Sequence, residues 1–202
     1  MGFFDGYNEK KLAIKGHKLL AECKYDEALI VLDEVLKLNP KNIKAWHNKG
    51  AAFHYMGNQE KAIHFIDKAL ELDPNYIKAW LDKGLILGNM GKYDEAIESY
   101  DKIIEIYPEH LTAWSAKGVL LEKNKQYNEA VICFDKILES DPSDIDALHG
   151  KGLCFVALGN NDKALEYFEK VLELKPDFEP AIKSKEEVLK LMENNELKLS
   201  FV

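Results

Sequence analysis

The sequence predicts an all-α protein built as a solenoid of stacked helix-turn-helix units. Three observations carry this. Five of the six prolines, Pro40, Pro74, Pro108, Pro142 and Pro176, stand 34 residues apart. Small residues recur in the same register: Gly16, Gly50, Gly84, Gly118 and Gly152, and then Ala28, Ala62, Ala96, Ala130 and Ala164. The large apolar residues among them fall at helical spacing. A period of this length marks a repeated supersecondary unit that cannot bury its own apolar face and must stack on its neighbours.

Counted from residue 9, the repeats span 9–42, 43–76, 77–110, 111–144 and 145–178, with a partial unit from 179. A position within the repeat is called a column below. The first helix carries column 4 (Leu12, Trp46, Trp80, Trp114, Leu148), the column-8 glycines and column 11 (Leu19, Phe53, Leu87, Leu121, Phe155) on one face. The three tryptophans therefore read as core packing. A turn follows, with Gly57, Gly91 and Gly159 in three of the repeats. The second helix buries the column-20 alanines and column 24 (Leu32, Ile66, Tyr100, Phe134, Phe168). The small residues let two helix backbones approach, and the large ones fill the space around them. Proline ends the second helix, since its ring disfavours helical geometry just before it.

The ends read as caps. Residues 179–195 form a one-sided capping helix, with Ile182, Val188, Leu189 and Met192 apolar between Lys183, Glu187, Lys190 and Glu193. Residues 196–202 form an apolar tail whose Leu199, Phe201 and Val202 are expected to dock on an apolar surface. Phe3, Phe4 and Tyr7 are expected to shield the first helix. The whole chain, 1–202, is expected to be one domain of about eleven helices without strands.

Composition narrows the function. Net charge is −8 and the pI about 5.3, and all 27 basic residues are lysine. An acidic chain without a single arginine is poorly suited to reading nucleic acid or clamping a transferring phosphoryl group. The three cysteines, Cys23, Cys133 and Cys154, show no CxxC spacing, which argues against a disulfide framework or zinc site and for a reducing, cytoplasmic setting. No apolar run approaches the roughly 20 residues of a bilayer span. The start, MGFFDGYNEK, lacks a basic n-region, and Gly6 breaks the myristoylation pattern.

Catalytic constellations are missing as well. His47 and His54 are seven residues apart, too far for a zincin-like pair at a spacing of four. No HExxH, GxSxG, phosphate-cradling loop or EF-hand loop occurs. No enzyme activity, metal or cofactor is therefore expected.

The pattern of Trp or Leu, glycine, apolar residue, alanine, aromatic or aliphatic residue and proline over residues 9–178 resembles the tetratricopeptide-repeat (TPR) family. The resemblance implies a right-handed superhelix whose first helices line a concave groove, and a scaffold that holds a peptide or helix of a partner protein there. It also implies that columns 2, 5, 6, 9, 12 and 13 face the groove, and helical geometry agrees, since they lie opposite columns 4, 8 and 11. The candidate binding residues are Lys10, His17, Lys44, His47, Asn48, Tyr55, Lys78, Leu81 and Leu85. They make the first half of the groove basic and hydrogen-bonding, which suits an acidic or mixed acidic and apolar partner. Val119, Leu153 and Val156, with Glu122 and Asp146, make the second half more apolar. The family's carboxylate clamp for chaperone tails is matched at Asn48 and Lys78 but not at Ala13, His17 and Asp82, and the acid would repel such a ligand. The alternative function is a self-associating assembly module that uses the terminal helices and the tail.

One column departs from the family. Column 7, usually apolar there, reads Lys15, Lys49, Lys83, Lys117, Lys151 and Lys185, while column 25 reads Asp33, Asp67, Asp101, Asp135 and Glu169. Two ladders of opposite sign predict pairing across repeats: Lys49 with Asp33, Lys83 with Asp67, Lys117 with Asp101, Lys151 with Asp135 and Lys185 with Glu169. The rival is pairing within a repeat, such as Lys49 with Asp67.

Overall fold

The computed structural model describes residues 3–199, with side chains from 6 to 194. Its described residues form eleven helices and no strand. Two compact units divide the chain after the third repeat, Met1–Pro108 and Glu109–Val202. The first holds α1 (Phe3–Ala21), α2 (Tyr25–Leu38), α3 (Ile43–Tyr55), α4 (Gln59–Leu72), α5 (Ile77–Asn89) and α6 (Tyr93–Ile106). The second holds α7 (Leu111–Lys123), α8 (Tyr127–Ser140), α9 (Ile145–Ala157), α10 (Asn161–Leu174) and α11 (Glu179–Leu199). The last helix runs through residues that the sequence assigned to the tail. Ser200, Phe201 and Val202, and the side chain of Leu199, lie outside the described residues, as do those of Phe3 and Phe4. Tyr7, expected to shield the first helix, is instead exposed. It shares a helical face with Lys10 and Ile14 rather than with the buried Gly16 and Leu19. No described helix is long and apolar enough to cross a membrane.

Each hairpin closes on the same contact. The column-20 alanines are fully buried in all five repeats, and so, within a few per cent, are Leu32, Ile66, Tyr100, Phe134 and Phe168. Each column-8 glycine lies under the column-24 side chain of its own repeat: a Cβ on Gly50 would stand 2.6 Å from Ile66, and one on Gly152 would stand 2.5 Å from Phe168. The glycines are there for space, since a helix interior otherwise disfavours them by about 1 kcal/mol against alanine.

The turn after each first helix always places column 15 in the left-handed region. Gly57, Gly91 and Gly159 have φ of 81°, 76° and 75°, and Cys23 and Lys125 adopt 58° and 62°. The backbone bonds are those of a Schellman cap: Gly57 N–H donates to His54 O and Asn58 N–H to Phe53 O, both at 2.9 Å. Three repeats use the residue that meets this φ without steric cost, and two carry strain. Lys125→Gly is expected to raise the urea midpoint, by up to about 1 kcal/mol, because a non-glycine residue in this region costs about 1–2 kcal/mol and glycine returns part of that as unfolded-state entropy.

The tryptophans correct the sequence reading in part. Trp46, Trp80 and Trp114 are half-buried rather than enclosed. Trp46 and Trp80 pack on the cluster of Ala62, Ile66, Ala69 and Ala79. Their indole N–H groups donate to Pro40 O at 2.9 Å and Pro74 O at 2.8 Å. Each ring thereby fastens its helix to the loop that delivers it, which gives the amphipathic ring a reason to stay at the edge of the core.

The charge ladders pair across repeats. Lys83 Nζ donates to Asp67 at 2.7 Å and Lys185 Nζ to Glu169 at 2.8 Å, and Lys49 and Lys151 bond Asp33 and Asp135 in the same way. The fifth predicted pair, Lys117 with Asp101, would join the two units and stays an expectation. The ammonium groups also stand over rings: Lys49 lies 4.3 Å from the Phe65 centroid and 5.7 Å from that of Trp46, and Lys151 lies 4.7 Å from that of Tyr167. Lys15 is exposed.

Candidate functional site

In the first unit, α1, α3 and α5 present the walls of a cleft of about 720 Å³. Six of the nine predicted binding residues line it: Lys10, His17, Lys44, His47, Asn48 and Lys78. Helix period explains the grouping, because columns 2, 5, 6 and 9 share the face turned away from Gly16 and Gly50.

The remaining three lie elsewhere. Tyr55 turns away and stacks on Tyr25, with ring centroids 5.6 Å apart and planes 15° off parallel. It borders a separate small notch with Ala51, His54, Asp82, Leu85 and Ile86, so Leu85 belongs to that notch as well. Leu81 is half-buried and lines neither.

The cleft also contains residues that the sequence reading passed over. Ile14, 71% exposed, sits on its wall beside Ala13 and supplies an apolar contact in a half expected to be basic and hydrogen-bonding. Glu9 accepts hydrogen bonds from the side-chain amides of Asn39 at 3.2 Å and Asn42 at 2.5 Å. Asn42 in turn caps α3, its side chain accepting from Ala45 N–H at 2.8 Å. Tyr76 precedes α5 where Asn42 precedes α3, and it makes no side-chain cap. Its ring meets His47 edge-on instead, 5.2 Å between centroids. Burial, with the charges of Asp82 and Asp73, pushes the Tyr76 phenol above its ordinary pKa, so it remains a neutral donor.

His47 Nε2–H donates to Asp82 Oδ2 at 2.7 Å. The acid that stands against a chaperone-tail clamp is thus engaged by the imidazole beside it. The same frame recurs in the second unit, where His149 Nε2 lies 3.2 Å from Ser184 Oγ and its ring meets Phe178 edge-on. There burial lowers the imidazole pKa, against the Pro180 backbone and Asp146, which raise it. Glu9 on the cleft, and Asp82 in the neighbouring notch, are therefore both hydrogen-bonded within the protein. The three lysines are exposed, and none has a carboxylate partner among the described residues.

Among the described residues no group of three His, Cys, Asp or Glu could hold a metal ion. The cysteines form no disulfide, with Cys23 exposed and Cys133 and Cys154 buried. Burial, helped by Glu122 and Cys133, pushes the Cys154 thiol up to about 12, which removes it as a nucleophile near neutral pH.

Comparison with known proteins agrees with this architecture. The family model "Tetratricopeptide repeat" matches residues 43–76, 77–110 and 145–178, and a second model of that description matches 112–144. A model of the protein prenyltransferase alpha subunit repeat matches residues 25–56. No curated protein matches the chain in sequence. Among solved structures, YrrB, described as a TPR protein with an unusual peptide-binding site, superposes with a TM-score of 0.77 at 22% identity, over 87% of this chain and 90% of its own. MamA from Desulfovibrio magneticus RS-1 gives 0.75 at 23% identity, over 85% and 97%. A tetratricopeptide repeat protein from Parabacteroides merdae gives 0.81 at 20% identity, over 96% and 77%. These likenesses are of fold. With four repeats matched by the family models and five sharing one register of glycine, alanine and proline, the chain belongs to the tetratricopeptide-repeat family.

Proposed function

We propose that the protein is an interaction scaffold whose first unit holds an acidic segment of a partner protein in the cleft lined by Lys10, Lys44 and Lys78. The observation that carries this is the set of three exposed ammonium groups around the cleft, none paired with a carboxylate among the described residues, while Glu9 on the cleft and Asp82 in the adjoining notch are already hydrogen-bonded. Ile14 adds an apolar contact, so the ligand is acidic with an apolar residue among the acids. YrrB, of the same fold, is described as having a peptide-binding site, and the reading places an analogous role here.

Titration of the whole chain with a labelled ten-residue acidic peptide, followed by fluorescence anisotropy at two salt concentrations, tests it. Lys44→Ala with Lys78→Ala is expected to weaken binding by up to roughly tenfold, since each exposed charge contact contributes about 0.2–1 kcal/mol. Raising the salt should weaken binding in the native chain more than in the double variant. An affinity that neither the substitutions nor salt alters would show that the cleft is not the site.

A further inference from the structure

Lys10, Lys44 and Lys78 occupy the same column of three successive repeats, on α1, α3 and α5, whose neighbours in this series touch. Packed helices lie about 8–10 Å apart. The three column-2 backbone positions therefore recur along the cleft at about that interval, and each lysine starts from the same position on its helix. The ladder ends there, because column 2 continues as Thr112 and Asp146 in the second unit.

A ligand that meets all three must carry acids at the same interval and on one side. A β-strand returns its side chains to one face about every 6.6–6.8 Å, which is too short. A polyproline II segment turns once in three residues and rises about 9 Å in doing so, which matches. An α-helix could present acids at i, i+7 and i+14, but it bonds its own backbone amides internally and would leave the Asn48 carboxamide on the cleft without a peptide partner.

A polyproline II backbone also makes no internal hydrogen bonds and needs partners for its amides. Asn48 is suited to that. It is half-buried on the cleft, and its side chain makes no hydrogen bond among the described residues. Its carboxamide offers both a donor and an acceptor to a passing peptide unit.

We infer that the cleft selects an extended, polyproline II segment with an acidic residue at every third position, of the form acid-x-x-acid-x-x-acid. This rests on the acidic-peptide reading above and specifies its ligand. Lys44, the central cation, is in reach of the middle acid, and Ile14 contacts an intervening residue.

The test compares labelled peptides of equal net charge against the whole chain. One carries three glutamates at i, i+3 and i+6 in a proline-alanine framework. The others carry them at i, i+2 and i+4, adjacent to one another, or at i, i+7 and i+14 in an alanine-rich helix. A single-stranded oligonucleotide with three phosphates is included. The i, i+3, i+6 peptide is expected to bind about three- to tenfold more tightly than each of the others, and Lys44→Ala is expected to erase that advantage. Equal affinity for all the peptides, with each weakened alike by the lysine substitutions, overturns the spacing and leaves the acidic cleft standing. Tightest binding of the helical peptide overturns it too, and an oligonucleotide bound as tightly overturns the assignment to protein. If no peptide binds, or the lysine substitutions change nothing, the cleft reading falls together with the inference.

Discussion

Gly50→Ala is expected to move the urea midpoint downwards by the equivalent of about 1–3 kcal/mol, the usual cost of forcing an extra methyl group into a packed core. Local propensity argues the other way, since alanine in a helix interior is favoured over glycine by about 1 kcal/mol. Geometry decides between them. The new Cβ would lie 2.6 Å from Ile66 Cγ1 and 2.9 Å from the backbone oxygen of Ala62. The isoleucine can rotate, but the carbonyl belongs to α4 and can retreat only if the helix does. Ile66→Ala in the same chain should therefore relieve only part of the loss. At Gly16 the nearest atoms all belong to the Leu32 and Val31 side chains, so Gly16→Ala should cost clearly less. A Gly50→Ala protein as stable as the native chain would show that column 8 is not where the helices need their closest approach. Because repeat arrays need not unfold in one step, the midpoint followed by two probes is the appropriate measurement.

The elements that repeat were legible in the sequence, and those that depend on an end or on a single neighbour were not. Pro40, Gly50, Ala62 and Ile66 each answer a steric demand that recurs every 34 residues, so one register exposes them all. Lys10, Lys44 and Lys78 were found from the groove columns that the family resemblance implies, with which helical angle agrees. Ile14 stands in column 6, the groove-facing column of Asn48, and was passed over because the polar residues of that face were taken as the ones that bind. Tyr76 was missed because it stands last in its repeat yet acts at the start of the next helix, against His47. Tyr55 was assigned to the groove by its column, but the contact with Tyr25 is a local preference between two rings that periodicity cannot report. The indoles of Trp46 and Trp80 were placed in the core by spacing, and their half-exposure comes from an N–H group that must reach a proline carbonyl.

The lysine and carboxylate ladder was legible as two columns of opposite sign, and the structure adds a gradient along it. The Lys49 and Lys151 side chains are 11% and 10% exposed, against 23% for Lys83 and 31% for Lys185. Column 23 accounts for the two most buried lysines against Lys83. It supplies Phe65 beside Lys49 and Tyr167 beside Lys151, but the small Ser99 in the repeat of Lys83. A cation held between a ring and an acid is the one most exposed to loss of the acid. Asp135→Ala is therefore expected to destabilise the protein by about 1–2 kcal/mol, between the value of a surface pair and that of a fully buried one, because Asp135 itself is 45% exposed. Glu169→Ala, at the more open Lys185, should cost less than half of that. Lys151→Met should cost least, since it keeps the stem against Tyr167 and removes the charge together with its need for a partner. The pH dependence gives an independent reading. Burial opposes the Lys151 ammonium, but the bonds to Asp135 and Tyr167 outweigh it and hold the pKa above the ordinary 10.5. The folded state thus binds that proton more tightly than the unfolded one does. Its contribution is complete below about pH 10.5 and is lost as the pH rises through the folded value. Between about pH 10 and 12 the native chain should accordingly lose more stability than Lys151→Met does. Equal alkaline losses in the two proteins, or an Asp135→Ala chain as stable as the native one, would mean that the ladder is a decorated surface and that the repeats find their stacking register from the apolar columns alone.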